Sequence, residues 1–239
     1  MTSFVLVHDA WQGAWCWDAV KARLEGAGEV KSASAVLTPE LPGHGSRAAN
    51  ERRNITVDDY VSAVVMAVQL HRLEDVVLVG HGLAASFLPR VTLRLGGTVR
   101  RVVFIAGLLP PEGRTPLQER PFVERGLARV FNAREKGVWL PAPVLRRRLG
   151  LDEPPLQQVL PKLTPDPAGP WTTPTSYGQF PGQMPITYVL FSRDRFVTIQ
   201  AQRAYAALFG DVERKEIDAG HEGILTHAAE VADLLLRYA

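Results

Sequence analysis

The segment that frames the chemistry of this chain is Gly80-His81-Gly82-Leu83-Ala84-Ala85. It follows the apolar run Val76-Val77-Leu78-Val79 and precedes Ser86-Phe87-Leu88. A strand, a sharp turn and a helix in that order match the G-x-S-x-G nucleophile elbow, where a strained turn lifts a serine above a sheet to attack a carbonyl. Gly80 and Ala84 are the small residues that let strand and helix pass closely. The central position is Gly82, so the attacking hydroxyl is absent. Glycine relieves the strain, about 1–3 kcal/mol, that a larger residue meets at such a position. It also leaves a gap in which a substrate atom or a water fits. Taken alone, the segment is equally well a tight strand–helix connection. It lacks the third glycine and downstream acid of a dinucleotide fingerprint.

The other reactive residue types read mostly as structure. Ser86 lies one turn beyond Gly82, too deep to replace the missing hydroxyl. His81 precedes the elbow centre and points into packing. Cys16, between Trp15 and Trp17, reads as a small buried hydrophobe. As the only cysteine, it excludes an internal disulfide framework and a Cys-rich zinc site. The histidines show no H-x-x-x-H or H-x-H spacing, so no metal is expected. Trp11, Trp15, Trp17, Trp139 and Trp171 line an apolar pocket or pack in the core and cap.

These residues need a scaffold, and 239 residues with 46% hydrophobic content suffice for one large core without staples. Phe4–Val7, Val76–Val79, Val102–Ile105 and Ile186–Phe191 are short apolar runs that fit parallel strands covered on both faces. Helical stretches separate them. Thr56 is placed to cap a helix through Tyr60, Val64, Val68 and Leu73, with Asp58 and Asp59 in its first turn. Later helices are expected over 199–209 and 228–238. The alternation predicts an α/β fold with a mostly parallel central sheet and helices on both faces. Residues 108–185 break the pattern, because all of the 18 prolines except Pro39, Pro42 and Pro89 fall there. Proline removes ladder donors and ends helices. We therefore read 1–107 and 186–239 as the core, with 108–185 inserted as a cap or lid. Arg146-Arg147-Arg148 within it reads as a solvated helix face.

A net charge of +2 argues against a nucleic-acid partner. No apolar run approaches 18 residues, so no membrane span is expected. Met1–Val7 lacks a basic n-region, so a signal peptide is not expected and a cytoplasmic location is the default. The expected partner is a small-molecule substrate, handled by a monomer or homodimer. No P-loop, lipoyl or haem motif appears, so no cofactor is expected.

Five segments in order carry a resemblance. They are His8-Asp9-Ala10-Trp11-Gln12-Gly13-Ala14-Trp15-Cys16-Trp17, Leu41-Pro42-Gly43-His44-Gly45-Ser46, the elbow, Ser192-Arg193-Asp194-Arg195-Phe196-Val197, and Asp218-Ala219-Gly220-His221-Glu222. Together they resemble the α/β-hydrolase superfamily, and within it the branch of small plant esterases, hydroxynitrile lyases and bacterial relatives. The resemblance implies an α/β-hydrolase fold with a small cap. By position it makes Asp194 and His221 the acid and base of a triad, the carboxylate orienting the imidazole. His8 would support the first loop or take part in chemistry, and Trp11, His8, His81, Gly82 and Leu83 would border the substrate. Two positions depart from the family pattern. Gly82 stands in place of serine, and Asp9 stands where the family has glycine after the first-strand histidine. An ionised Asp9 repels an oxyanion in that loop, whereas a desolvated one has a raised pKa and donates a proton.

Two departures together point to a pocket re-used for other chemistry. The reading that follows is a cofactor-independent, non-hydrolytic enzyme. In it His221, oriented by Asp194 and joined by Asp9, moves protons on a small or medium carbonyl compound, polyketide-like compounds included. Decarboxylation, C–C cleavage, aldol cyclisation and dehydration are within reach of such a site. The alternatives are an ester or lactone hydrolase, by activated water or with its serine deliberately removed, and an inactive ligand-binding relative.

Overall fold

A computed structural model describes residues 2–26, 33, 35–47, 54–126, 137–138, 142–151, 155–180 and 182–239, without the side chains of 142 and 148. Six parallel strands form one sheet in the order β2-β1-β3-β4-β5-β6. They are β1 (Ser3–Val7), β2 (Ala35–Leu37), β3 (Val76–His81), β4 (Val99–Ile105), β5 (Ile186–Phe191) and β6 (Glu213–Ile217). The four apolar runs became the four central strands, and β1, β3 and β5 are buried along their whole length. Such strands need helices on both faces. On one face lie α1 (Asp18–Gly26) and a C-terminal helix over Ala228–Leu236, packed with Phe4, Leu6, Val77, Val79 and Val103. On the other lie α2 (Val57–Leu70) and α3 (Leu88–Leu95), packed with Val5, Val7, Leu78 and Phe104.

Thr56 caps α2 as expected. Its hydroxyl accepts from Asp59 N, and Asp59 accepts from Thr56 N in return. That helix ends at Leu70, short of Leu73. The elbow does not lead straight into an α-helix. A 3-10 turn over Gly82–Ser86 comes first, and α3 begins at Leu88. Among the described residues, no sheet strand falls within 108–185. That segment holds α4 (Ala142–Leu149), α5 (Pro155–Val159) and α6 (Ala168–Thr172), with a single antiparallel bridge between Val138 and Asp166. Arg146 and Arg147 on α4 are exposed, as a solvated face requires.

Candidate active site

Four loops leave the carboxyl ends of β1, β3, β5 and β6 and converge above the sheet, where open α/β sheets place their ligands. The loop after β1 brings Asp9. His8 braces it: Nδ1–H donates to the Asp9 carbonyl (2.9 Å), and Nε2 accepts from Leu41 N (3.2 Å). Burial first, then the nearby His44, lowers the His8 pKa to about 3. A neutral ring suits one donor and one acceptor nitrogen. His8 therefore holds the loop through both nitrogens.

The loop after β3 brings Gly82, whose φ of +51° lies in the left-handed region. A Cβ added there would land on the carboxylate carbon of Asp9 and on both its oxygens. The gap expected at Gly82 is therefore filled: the Asp9 carboxylate takes the volume a serine side chain would need. Leu83 N, the amide next to the elbow centre, donates to Asp9 Oδ1. Ser86 donates to the Leu83 carbonyl (2.8 Å) and so stays in packing.

The loop after β5 supplies Asp194. Its Oδ1 accepts from Phe196 N (2.6 Å) and Val197 N (2.9 Å). Its Oδ2 accepts from His221 Nδ1–H (2.7 Å). The loop after β6 supplies His221, whose Nε2–H donates to Asp9 Oδ2 (2.8 Å). One imidazole thus bridges two carboxylates. All three side chains are buried, with residue exposures of 2%, 6% and 1% for Asp9, Asp194 and His221.

Burial alone would discharge this line, but the partners outweigh it. For His221, burial opposes the charge, while the charge and hydrogen bond of Asp194, then those of Asp9, raise its pKa well above the ordinary value. For Asp9, burial favours the neutral acid, yet the His221 hydrogen bond and charge and the Leu83 amide hold its pKa below 3.8. This corrects the expectation of a raised, proton-donating Asp9: desolvation is present but does not win. The two partners favour the charged imidazole, and the imidazole in turn favours an ionised Asp9. His81 packs ring to ring on His221 at 4.8 Å, and its Nε2–H donates to the His221 carbonyl (2.9 Å). Burial, then the charge of His221, lowers its pKa to about 4. His81 therefore props the His221 backbone. Donor atoms of Asp9, His81 and His221 lie within 4.8 Å of one another. Asp9 and His221 bond each other and His81 Nε2 bonds a carbonyl, while His81 Nδ1 is buried with no hydrogen-bond partner among the described residues.

Two residues join the site without a sequence-based assignment. Glu222 Oε2 accepts from Gln12 Nε2 (2.6 Å), and burial pushes the Glu222 carboxyl up to about 8. The only signal was its place directly after His221. Asp166, in the proline-rich 108–185 segment, accepts from Trp11 N (2.9 Å), and nothing in the sequence marked it. Among the remaining candidates, Trp11, Trp17 and Trp171 are buried, Trp15 is half-buried, and Trp139 lies outside the described residues. Cys16 is buried, and burial raises its thiol pKa, as an inert hydrophobe requires.

A wide apolar pocket was expected beneath the cap. Among the described residues, one small cavity there, of about 10 Å³, is lined by Trp11, Trp171 and Phe196 among others. The Phe196 ring lies 4.8 Å from that of His221. A groove of about 770 Å³ runs along α2 past Pro42, Ile55 and Met66, but no residue of the Asp9–His221–Asp194 line borders it.

A six-stranded parallel sheet with an elbow after β3, an acid after β5 and a histidine after β6 defines an α/β-hydrolase core. Residues 4–234 match the family model described as the alpha/beta hydrolase family, and the chain belongs to it. An esterase from Nocardioides sp. (strain SG-4G), described as carbendazim hydrolyzing, is 34% identical over 113 residues, 47% of this chain and 45% of that protein. An alpha-hydroxynitrile lyase of Arabidopsis thaliana is 30% identical over 114 residues, 47% of this chain and 42% of that protein. The chain thus spans less than half the length of these relatives. An extracellular alpha/beta-hydrolase from a Paenibacillus species shares the fold, with a TM-score of 0.88 at 22% identity, covering 100% of this chain and 99% of that one.

Proposed function

We propose that this chain is a cofactor-independent enzyme that moves protons on a small or medium carbonyl compound through the Asp9–His221 pair. The observation that carries this reading is the Asp9 carboxylate, which occupies the space of the elbow side chain and takes the Leu83 amide. Acyl-enzyme chemistry needs a hydroxyl nucleophile and a free amide for the oxyanion. Neither is offered at Gly82 and Leu83. An ionised carboxylate beside an imidazolium is instead a base and an acid held 2.8 Å apart. In aldol cyclisation and dehydration Asp9 takes a proton from the carbon next to the carbonyl, and His221 Nε2–H delivers one to the carbonyl oxygen or the departing hydroxyl. In C–C cleavage Asp9 takes the hydroxyl proton and His221 protonates the carbon that leaves; in decarboxylation CO2 departs and His221 Nε2–H protonates the resulting carbanion. Asp194 keeps the imidazole charged and oriented. Asp9 and His221 are buried and neither lines the cavity of about 10 Å³, so in this reading the substrate reaches the pair by displacing neighbouring side chains.

The esterases among the relatives favour a second reading, hydrolysis of an ester or lactone by water activated at the same pair. A panel of β-keto acids, β-hydroxy ketones and activated esters separates the two. Turnover of the carbonyl compounds that falls on the order of 10²–10⁴-fold in both His221→Ala and Asp9→Asn supports the first. Turnover of esters alone supports the second. Undiminished carbonyl turnover in His221→Ala overturns the mechanism.

A further inference from the structure

Trp11 lies two residues beyond Asp9, and its φ of +61° is in the left-handed region. A bulky residue there costs about 1–3 kcal/mol and persists only where its surroundings hold it. Its ring packs edge-on against Phe196 of the core (5.4 Å), but its hydrogen bonds all come from the cap. Trp11 N donates to Asp166 Oδ1 (2.9 Å), its indole Nε1–H donates to the Val138 carbonyl (2.9 Å), and its own carbonyl accepts from Thr164 N (2.8 Å). Asp166 is 1% exposed, and its other oxygen accepts from Trp171 Nε1–H (2.7 Å). His44 Nε2 lies 3.1 Å from Asp166 Oδ1, and His44 Nδ1–H donates to the Gln12 carbonyl (2.8 Å). His44 Nε2 also meets the Tyr60 hydroxyl (2.7 Å), so the cap carboxylate's direct hold on the loop is the one at Trp11.

We propose that Asp166 is the positioning residue for Asp9: by holding Trp11 in its left-handed turn, it aims the Asp9 carboxylate at His221 and makes that alignment depend on the seated cap. Both oxygens are engaged, Oδ1 by Trp11 N and Oδ2 by Trp171 Nε1–H, and the first is the one that holds the loop. An amide at 166 keeps one acceptor and turns a donor towards the other N–H. The catalytic pair is thus assembled when the cap is in place and loosened when it lifts. This rests on the acid–base reading for its catalytic meaning, but its geometry is measurable without a substrate.

The test is the low-field proton spectrum of His221, whose Nδ1–H faces Asp194 and whose Nε2–H faces Asp9. Asp166→Asn is expected to shift or abolish the Nε2–H resonance while the Nδ1–H resonance stays. Trp171→Phe, which removes only the donor to Asp166 Oδ2, is expected to keep both. Once a substrate is found, kcat of Asp166→Asn should fall on the order of 10²-fold with little change in KM, the effect of a group misplaced by about 1 Å. Both resonances unchanged in Asp166→Asn, with only a lowered Tm, overturns the proposal. If that variant does not fold, a pressure series on the unaltered protein decides. The Trp171 indole resonance and the His221 Nε2–H resonance should broaden together, ahead of Nδ1–H. Independent broadening overturns the coupling. Loss of the Nε2–H resonance alongside undiminished turnover in His221→Ala would fail the acid–base reading and leave the positioning intact.

Discussion

The site has two halves that differ in how they depart from the family pattern. The half after β5 and β6 keeps the arrangement the resemblance implies, with Asp194 Oδ2 on His221 Nδ1–H at 2.7 Å. The half after β1 and β3 joins Asp9 and Gly82 into a single feature: Asp9 supplies the side chain and Gly82 the room for it. One carboxylate takes both the space at the elbow and the Leu83 amide.

The retained half is tested by Asp194→Asn. The amide would turn a donor towards the Phe196 and Val197 amides or towards His221 Nδ1–H, and would remove the largest charge that keeps the imidazole protonated. Activity on the identified substrate should fall on the order of 10²–10⁴-fold. The His221 pKa, followed by NMR, should drop towards the ordinary range. A full rate with an unmoved imidazole pKa would mean that the retained half is scaffold only.

The changed half is tested by reversing it one residue at a time. Gly82→Ser alone puts a Cβ onto the Asp9 carboxylate at a positive φ, so overpacking and strain add. We expect a loss of about 3 kcal/mol or more in urea unfolding and no esterase activity. The double variant Asp9→Gly with Gly82→Ser clears the volume, frees the Leu83 amide and places a hydroxyl near His221 Nε2. It should regain most of the stability and hydrolyse an activated ester. A single Gly82→Ser variant as stable as the parent would break the claim that the two positions form one feature.

The same pairing of Asp9 with Gly82 marks what the sequence made legible. Val76–Val79 and Ile186–Phe191 announced their strands because continuous apolar runs suit strands buried on both faces. Asp194 and His221 could be placed because their motifs are local. β6, Glu213-Arg214-Lys215-Glu216-Ile217, escaped notice because an edge strand alternates exposed polar positions. β2 has only three residues. The filling of Gly82 by Asp9 was hidden because the two lie 73 positions apart. A lone aspartate reads as a desolvated acid until its imidazolium partner is seen. Asp166 was hidden for the same reason, since its value lies in Trp11 and Trp171 converging on it.

Glu222 bridges the halves, reaching from the histidine loop to Gln12 in the loop of Asp9. It yields the smallest and cleanest effect. Its folded pKa, about 8, lies above the ordinary 4.5, so the native protein keeps a proton that the unfolded chain releases. The stability it contributes is fully present below about pH 4.5 and is lost as pH rises towards 8. His8 and His81, lowered to about 3 and about 4, act in the opposite sense, adding stability as pH rises through the acid range to about 6.5. His221, with its raised pKa, loses its contribution only above about 6.5. The slope of the unaltered protein therefore mixes signs, and the difference from Glu222→Gln isolates one group. Between pH 5 and 6.5 that variant should gain on the parent by up to about 1.4 kcal/mol per pH unit in urea unfolding. A constant difference across that range would place an ionised Glu222 in the folded site, and the bridge between the halves would then be a charged one.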